Sequence, residues 1–128
     1  LGGEGNDTLK ASSGGGNNRL YGGGGDDLLL GGSNDILCGG AGRDKFLLAN
    51  AQLPNNSNLV LDFEVGSDLL SLSGLSIEGN PVSFNDLSFT QGDRGTQLSI
   101  PDLSPDPLAI FLGITADTLN NSFNFELS

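Results

Sequence analysis

A chain of 128 residues with one cysteine, no histidine and no methionine has room for a single domain and lacks the imidazole and thioether ligands of zinc, haem and copper sites. Its 16 acids against 5 bases give a net charge of −11, which opposes binding to nucleic acid or anionic membranes and leaves oxygen ligands for a hard cation. Without histidine there is no Ser-His or Cys-His nucleophile system, and no apolar run reaches the roughly eighteen residues of a membrane-spanning helix.

From the amino terminus the chain writes one nine-residue unit five times: GGEGNDTLK (Gly2 to Lys10), SGGGNNRLY (Ser13 to Tyr21), GGGGDDLLL (Gly22 to Leu30), the shortened GGSNDILC (Gly31 to Cys38) and GGAGRDKFL (Gly39 to Leu47). The common pattern is Gly-Gly-x-Gly-x-Asp-x-U-x, with U large and apolar. Glycine takes left-handed backbone angles without a side-chain penalty, so the first six positions predict a turn and the last three a short strand. Side chains alternate along a strand, so only Leu9, Leu20, Leu29, Leu37 or Phe46 needs to face a core. One unit cannot bury that residue alone; stacked units make a continuous apolar column, which is the logic of a solenoid.

These repeats resemble the RTX (repeats-in-toxin) calcium-binding β-rolls. The resemblance implies a roll in which two repeats complete one turn, alternate repeats lie on the same side, and calcium sits between turns about eighteen residues apart. Calcium takes about six to eight oxygens, which carbonyls and carboxylates supply. Carried over, a first site uses Gly3, Gly5 and Asp7 with Gly22, Gly24 and Asp27, and a second uses Gly23, Gly25 and Asp27 with Gly39, Ala41 and Asp44. At least two calcium ions are therefore expected. On the other side, Gly14, Gly16 and Asn18 would meet Gly31, Ser33 and Asp35. Asn18 keeps an amide oxygen but no charge, and the fourth repeat has lost its third glycine, so this position is the weaker. Asp7 and Asp27 are 20 residues apart because Ala11 and Ser12 are inserted, whereas Asp27 and Asp44 are 17 apart.

Leu48 to Asn58 is polar, contains Pro54 and predicts a loop. Asn58 to Phe63 and Asp68 to Ser73 alternate in hydropathy and predict a hairpin across Glu64 to Ser67. Asp62, Phe63, Gly66 and Asp68 also resemble the Asp-Phe-x-x-Gly-x-Asp that follows many RTX repeats. Asp62 lies 18 residues beyond Asp44; it and Asp68 either close a terminal calcium site or solvate a turn. Ser83 to Leu87 predicts a helical turn, and Leu87 to Thr90, Gln97 to Ile100 and Leu108 to Leu112 predict strands, separated by Gly92 to Gly95 and by Pro101, Pro105 and Pro107. Thr115 caps a helix start over Thr115 to Asn121, and Phe123 to Leu127 alternates as a last strand.

The expected architecture is all-β: a parallel β-roll over residues 1–47, continued and capped by short, mainly antiparallel strands over 48–128, packed as one domain. Of the 21 glycines, 15 fall in residues 1–47, and residues 48–128 carry 10 acids against Arg94 alone. The apolar outward positions Tyr21, Leu28, Leu30, Ile36 and Cys38 are expected to be covered by the cap or by an upstream domain. Cys38 has no disulfide partner and reads as a small filler side chain.

The resemblance extends to function. It implies a module that folds on calcium and serves type I export of a larger bacterial protein, secreted or held at the cell surface, with the secretion apparatus and an upstream effector domain as partners. The chain opens on Leu1 in mid-pattern, as a fragment would, and any enzymatic activity is expected to precede it. Glu126-Leu127-Ser128 partly matches the terminal acid and hydrophobic residues of some exported proteins. The alternative function is a calcium-stabilised module for adhesion or for binding carbohydrate or a surface.

Overall fold

The computed structural model describes residues 2–11, 16–50 and 56–126. Each repeat ends in a short strand: β1 (Thr8–Lys10), β2 (Arg19–Tyr21), β3 (Leu28–Leu30), β4 (Ile36–Cys38) and the longer β5 (Lys45–Asn50). Strands β1, β3 and β5 pair in parallel in one sheet, and β2 and β4 pair in parallel in the other. The chain therefore changes sheet at every turn, as a roll requires. Left-handed glycines make those turns possible: Gly23 and Gly25 have φ of 95° and 98°, and a Cβ on either would strike the carbonyl of Gly3 or Gly5 one turn earlier.

The roll does not end at residue 47. Strand β6 (Asn58–Val60) adds in parallel to β4, and β7 (Leu69–Ser73) adds in parallel to β5. The expected hairpin of Asn58 to Phe63 with Asp68 to Ser73 is thus absent; the two strands lie in different sheets, and Asp62 to Asp68 is one more inter-sheet turn. The expected loop is also shorter. Leu48 is 1 % exposed and belongs to β5, and residues 51–55, with Pro54, fall outside the described part.

Downstream, the chain adds to the free strand edges. Strand β12 (Ala109–Leu112) pairs in parallel with β6, then antiparallel with β11 (Gly95–Ser99), which in turn holds β10 (Ser88–Gln91). A small hairpin of β8 (Ser76–Ile77) and β9 (Asn80–Pro81), unforeseen from the sequence, turns through left-handed Glu78 and Gly79. The turn expected at Ser83 to Leu87 is a 3₁₀ helix over Phe84–Asp86. Helix α1 (Ala116–Leu119) starts at Thr115, whose Oγ1 accepts from the Thr118 N–H at 3.3 Å. The last strand, β13 (Phe125–Glu126), joins β7 in parallel. It starts later than Phe123, which is 88 % exposed, because Asn121 caps a 3₁₀ turn over Ser122–Asn124 and buried Asn124 donates to the Leu119 carbonyl. Leu127 lies outside the described residues. No helix among the described residues is long and apolar enough to cross a membrane.

Between the sheets, Leu29, Phe46 and Leu70 face Leu37, Val60 and Phe111, all fully buried. The apolar cluster continues through Leu98, Leu108 and Leu119, so repeats and cap share one interior. The outward residues Leu28, Leu30, Ile36 and Cys38 are half-buried and Tyr21 is exposed. The cap lengthens the sheets edge to edge and leaves these faces partly open, contrary to the covering expected of it. Phe46 lies in the middle of its row, with its ring 6.2 Å from that of Phe63. Phe46→Ala is expected to cost about 3–5 kcal/mol, read as a lowered denaturation midpoint in calcium; a loss under about 1 kcal/mol would show that the roll does not depend on its apolar column.

Candidate metal centre

The two edges of the roll, where the chain passes between sheets, are chemically unlike. Along the first edge runs a column of four aspartates two residues before each inward apolar side chain. The Asp7 N–H donates to Asp27 Oδ1 at 2.8 Å, that of Asp27 to Asp44 Oδ1 at 2.9 Å, and that of Asp44 to Asp68 Oδ1 at 2.8 Å. Asp27, Asp44 and Asp68 are 3 %, 2 % and 2 % exposed. Each thus ties one turn to the one before it through a single oxygen.

The other oxygen has no such use. Oδ2 of Asp7, Asp27 and Asp44 is buried and meets no hydrogen-bond donor among the described residues. Buried carboxylate oxygens without donors are costly, and stacked like charges raise the cost. Desolvation by burial and the nearby charges of Asp68, Asp27 and Asp62 push the Asp44 carboxyl up to about 6, against the opposing hydrogen bond from the Asp27 backbone N–H. Asp68 is raised as well, mainly by burial. A divalent cation supplies the charge such a column lacks.

Carbonyl oxygens complete the donor set. A Cβ built on Gly2 would lie 2.8 Å from Asp7 Oδ2 and 2.6 Å from the Gly22 carbonyl oxygen. On Gly22 it would meet Asp27 Oδ2 and, at 2.6 Å, the Gly39 carbonyl oxygen. At both places a carboxylate oxygen and the next turn's first carbonyl converge on a spot that only glycine leaves open. The turns are also in register: the N–H of Gly24 donates to the Gly3 carbonyl and that of Ala41 to the Gly23 carbonyl, both at 3.0 Å. Gly42 lies over Gly25 as Gly25 lies over Gly5. The residues of the first expected site, Gly3, Gly5, Asp7, Gly22, Gly24 and Asp27, therefore lie together, and so do Gly23, Gly25, Asp27, Gly39, Ala41 and Asp44. No group of three acidic or cysteine side chains converges among the described residues; a cation here takes carbonyl oxygens alongside carboxylates, the mixed set suited to calcium.

The second edge is an amide ladder. Asp35, 1 % exposed, accepts the N–H and the Nδ2 of Asn18 on Oδ1, and the N–H of Gly32 on Oδ2 at 2.7 Å. Its own N–H donates to Asn58 Oδ1 at 2.9 Å, and Asn58 Nδ2 donates to the Gly32 carbonyl. Both oxygens of this carboxylate therefore have donors, Oδ1 from Asn18 and Oδ2 from Gly32. Here the register is 17 residues, with Arg19 opposite Ile36, which moves the second repeat one residue later than an alignment on Ser13. Gly16 and Asn18 lie against Ser33 and Asp35, while Gly14 lies outside the described residues. Left-handed Asn17 and Asn34, φ 66° and 58°, take the place of the glycine that both turns lack.

Asp62 and Asp68 finish the first edge. Asp62 accepts the N–H groups of Gly39 and Gly40, both at 2.8 Å, and Asp68 Oδ2 accepts that of Glu64. Each acts as an extra turn of backbone would, and Asp44 Oδ2 is left as the last donor-free oxygen of the column. Cys38 Sγ donates to Asp62 Oδ2 at 3.1 Å, and burial with that contact pushes the thiol up to about 12, which keeps it protonated and unreactive. Sequence reasoning missed Asn58, and also Asn6 and Asp26, whose Oδ1 atoms accept the N–H of Asp26 and Arg43.

Comparison with known proteins agrees with this geometry. Residues 1–33 and 12–46 match the RTX calcium-binding nonapeptide repeat, in four copies. No curated protein matches the chain. Among solved structures, the AlgE6R3 subunit of the Azotobacter vinelandii mannuronan C5-epimerase is similar, with a TM-score of 0.63 and 27 % identity over 98 % of this chain and 80 % of that one. The chain carries an RTX calcium-binding β-roll.

Proposed function

We propose that calcium binds along the aspartate edge alone, at the Asp7–Gly22 and Asp27–Gly39 positions and with Asp44 next in line, and that this binding folds a module for type I export of a larger secreted protein. The observation that carries the calcium assignment is the donor-free Oδ2 of Asp7, Asp27 and Asp44. Many glycines and a column of like charges weaken the fold, and bound calcium offsets both. Extracellular calcium then completes the fold outside the cell, and the module itself does no catalysis. That the similar solved structure is a subunit of an epimerase supports a roll attached to a catalytic part. The test of export is a reporter fused ahead of this chain in a bacterium with or without a type I apparatus. The reporter is expected in the medium only with the apparatus, and retention in both strains would refute the export role. The alternative, a carbohydrate- or surface-binding module, has one feature in its favour, an arginine-lined groove on the amide edge.

A further inference from the structure

Across the outer face of the second sheet, Arg19 stands opposite Ile36, Ile36 opposite Leu59, and Leu59 opposite Ile110. With Arg94, from the turn before β11, they line a groove of about 270 Å³ whose amide-edge wall includes Asn17 and Asn34. Two of the chain's 5 bases therefore meet at one groove of a strongly acidic protein. The one ion pair among the described residues joins Lys45 to Glu126, so neither arginine is neutralised by an acid there. Asp35, the acid that also lines the groove, already accepts from Asn18 and Gly32 through both oxygens. Asn34 donates to Asn17 Oδ1 at 2.7 Å, which leaves the amide hydrogens of Asn17 for a ligand acceptor.

The groove thus offers guanidinium and amide donors above an apolar strip of half-buried Ile36, Leu59 and Ile110. Guanidinium groups bind carboxylates through paired hydrogen bonds, and an apolar strip accepts the C–H face of a pyranose ring. The volume is at the small end for ligand sites and suits a ring or two. We propose that this groove binds acidic sugars of the uronate class, with Arg19 and Arg94 on their carboxylates. It lies on the amide edge, away from the carboxylate column, so the sugar and calcium do not compete. The proposal needs the folded roll but not its export role.

The experiment is a ¹⁵N NMR titration of the calcium-loaded chain with trigalacturonate, with neutral maltotriose and sodium sulfate as parallel arms. Trigalacturonate is expected to shift the amides of Asn17, Arg19, Asn34, Ile36, Leu59, Arg94 and Ile110, and maltotriose is not. Arg19→Gln and Arg94→Gln should each weaken binding about tenfold or more, while Lys10→Gln, an equal charge change on the exposed face of β1, should leave it unaltered. Unchanged calcium-loaded spectra away from the groove will show that the variants are folded. The proposal fails if no shifts occur, if maltotriose or sulfate matches trigalacturonate, or if shifts cluster at Asp7, Asp27 and Asp44, which would mean bridging through calcium.

Discussion

Millimolar calcium added to the chelator-treated chain is expected to raise its thermal midpoint by about 20 °C and to deepen its β-sheet circular dichroism. At 100 times the dissociation constant each ion contributes roughly 2.7 kcal/mol, so two contribute about 5 kcal/mol, a large share of a typical domain's stability. At about 4 °C per kcal/mol for a chain of this length, that gives the stated shift. The effect should be lopsided. In chelator, amide exchange is expected to quicken most along Asp7, Asp27 and Asp44, whose Oδ2 atoms have no donors, and less along Asp35 and Asn58, whose side-chain oxygens already accept N–H donors. An equal midpoint with and without calcium would remove calcium as the cause of folding.

Asp27→Ala is expected to remove two ions at once, because Asp27 Oδ2 faces the Gly39 carbonyl at one position and Asp27 Oδ1, accepting the Asp7 N–H, holds in place the turn that carries the other. Calorimetric titration should then show at least two fewer calcium equivalents and a midpoint in calcium close to that in chelator. Asp35→Ala should act differently. It strips acceptors from the N–H groups of Asn18 and Gly32, costing about 1–3 kcal/mol for buried unsatisfied donors, yet calcium stoichiometry should stay unchanged. The loss in Asp35→Ala should be the same in calcium and in chelator, whereas the loss in Asp27→Ala, which strips one acceptor from the Asp7 N–H in either condition, should be much larger in calcium.

The repeat half was legible because two periodicities coincide in it. Glycines fall where the backbone turns left-handed, and an aspartate, replaced by Asn18 in the second repeat, precedes each inward leucine or phenylalanine by two residues. That second rule extends further than the glycines do. Asn58 precedes Val60 and Asp68 precedes Leu70 by the same two residues, and these are the residues that extend the amide ladder and the aspartate column into the cap. Local alternation in Asn58 to Phe63 and Asp68 to Ser73 predicts strands correctly but not their partners, since a hairpin and a further turn of roll share the same pattern. Here the two strands pair with the edges of β4 and β5 and not with each other. The chemical difference between the edges was half visible. Asn18 marked the weaker side, but the capture of both Asp35 oxygens depends on the Gly32 N–H within the shortened turn and on Asn18 brought by the 17-residue register, and substitutions at single positions do not reveal register. Phe123 misled for a local reason, since the Asn121 cap takes its backbone out of the ladder.

A crystal structure of the chain grown in calcium tests the one-edged account most directly. Calcium density is expected between Asp7 Oδ2 and the Gly22 carbonyl and between Asp27 Oδ2 and the Gly39 carbonyl, with none beside Asp35. Calcium coordinated by Asp35, or an aspartate edge without calcium at saturating concentration, would contradict it.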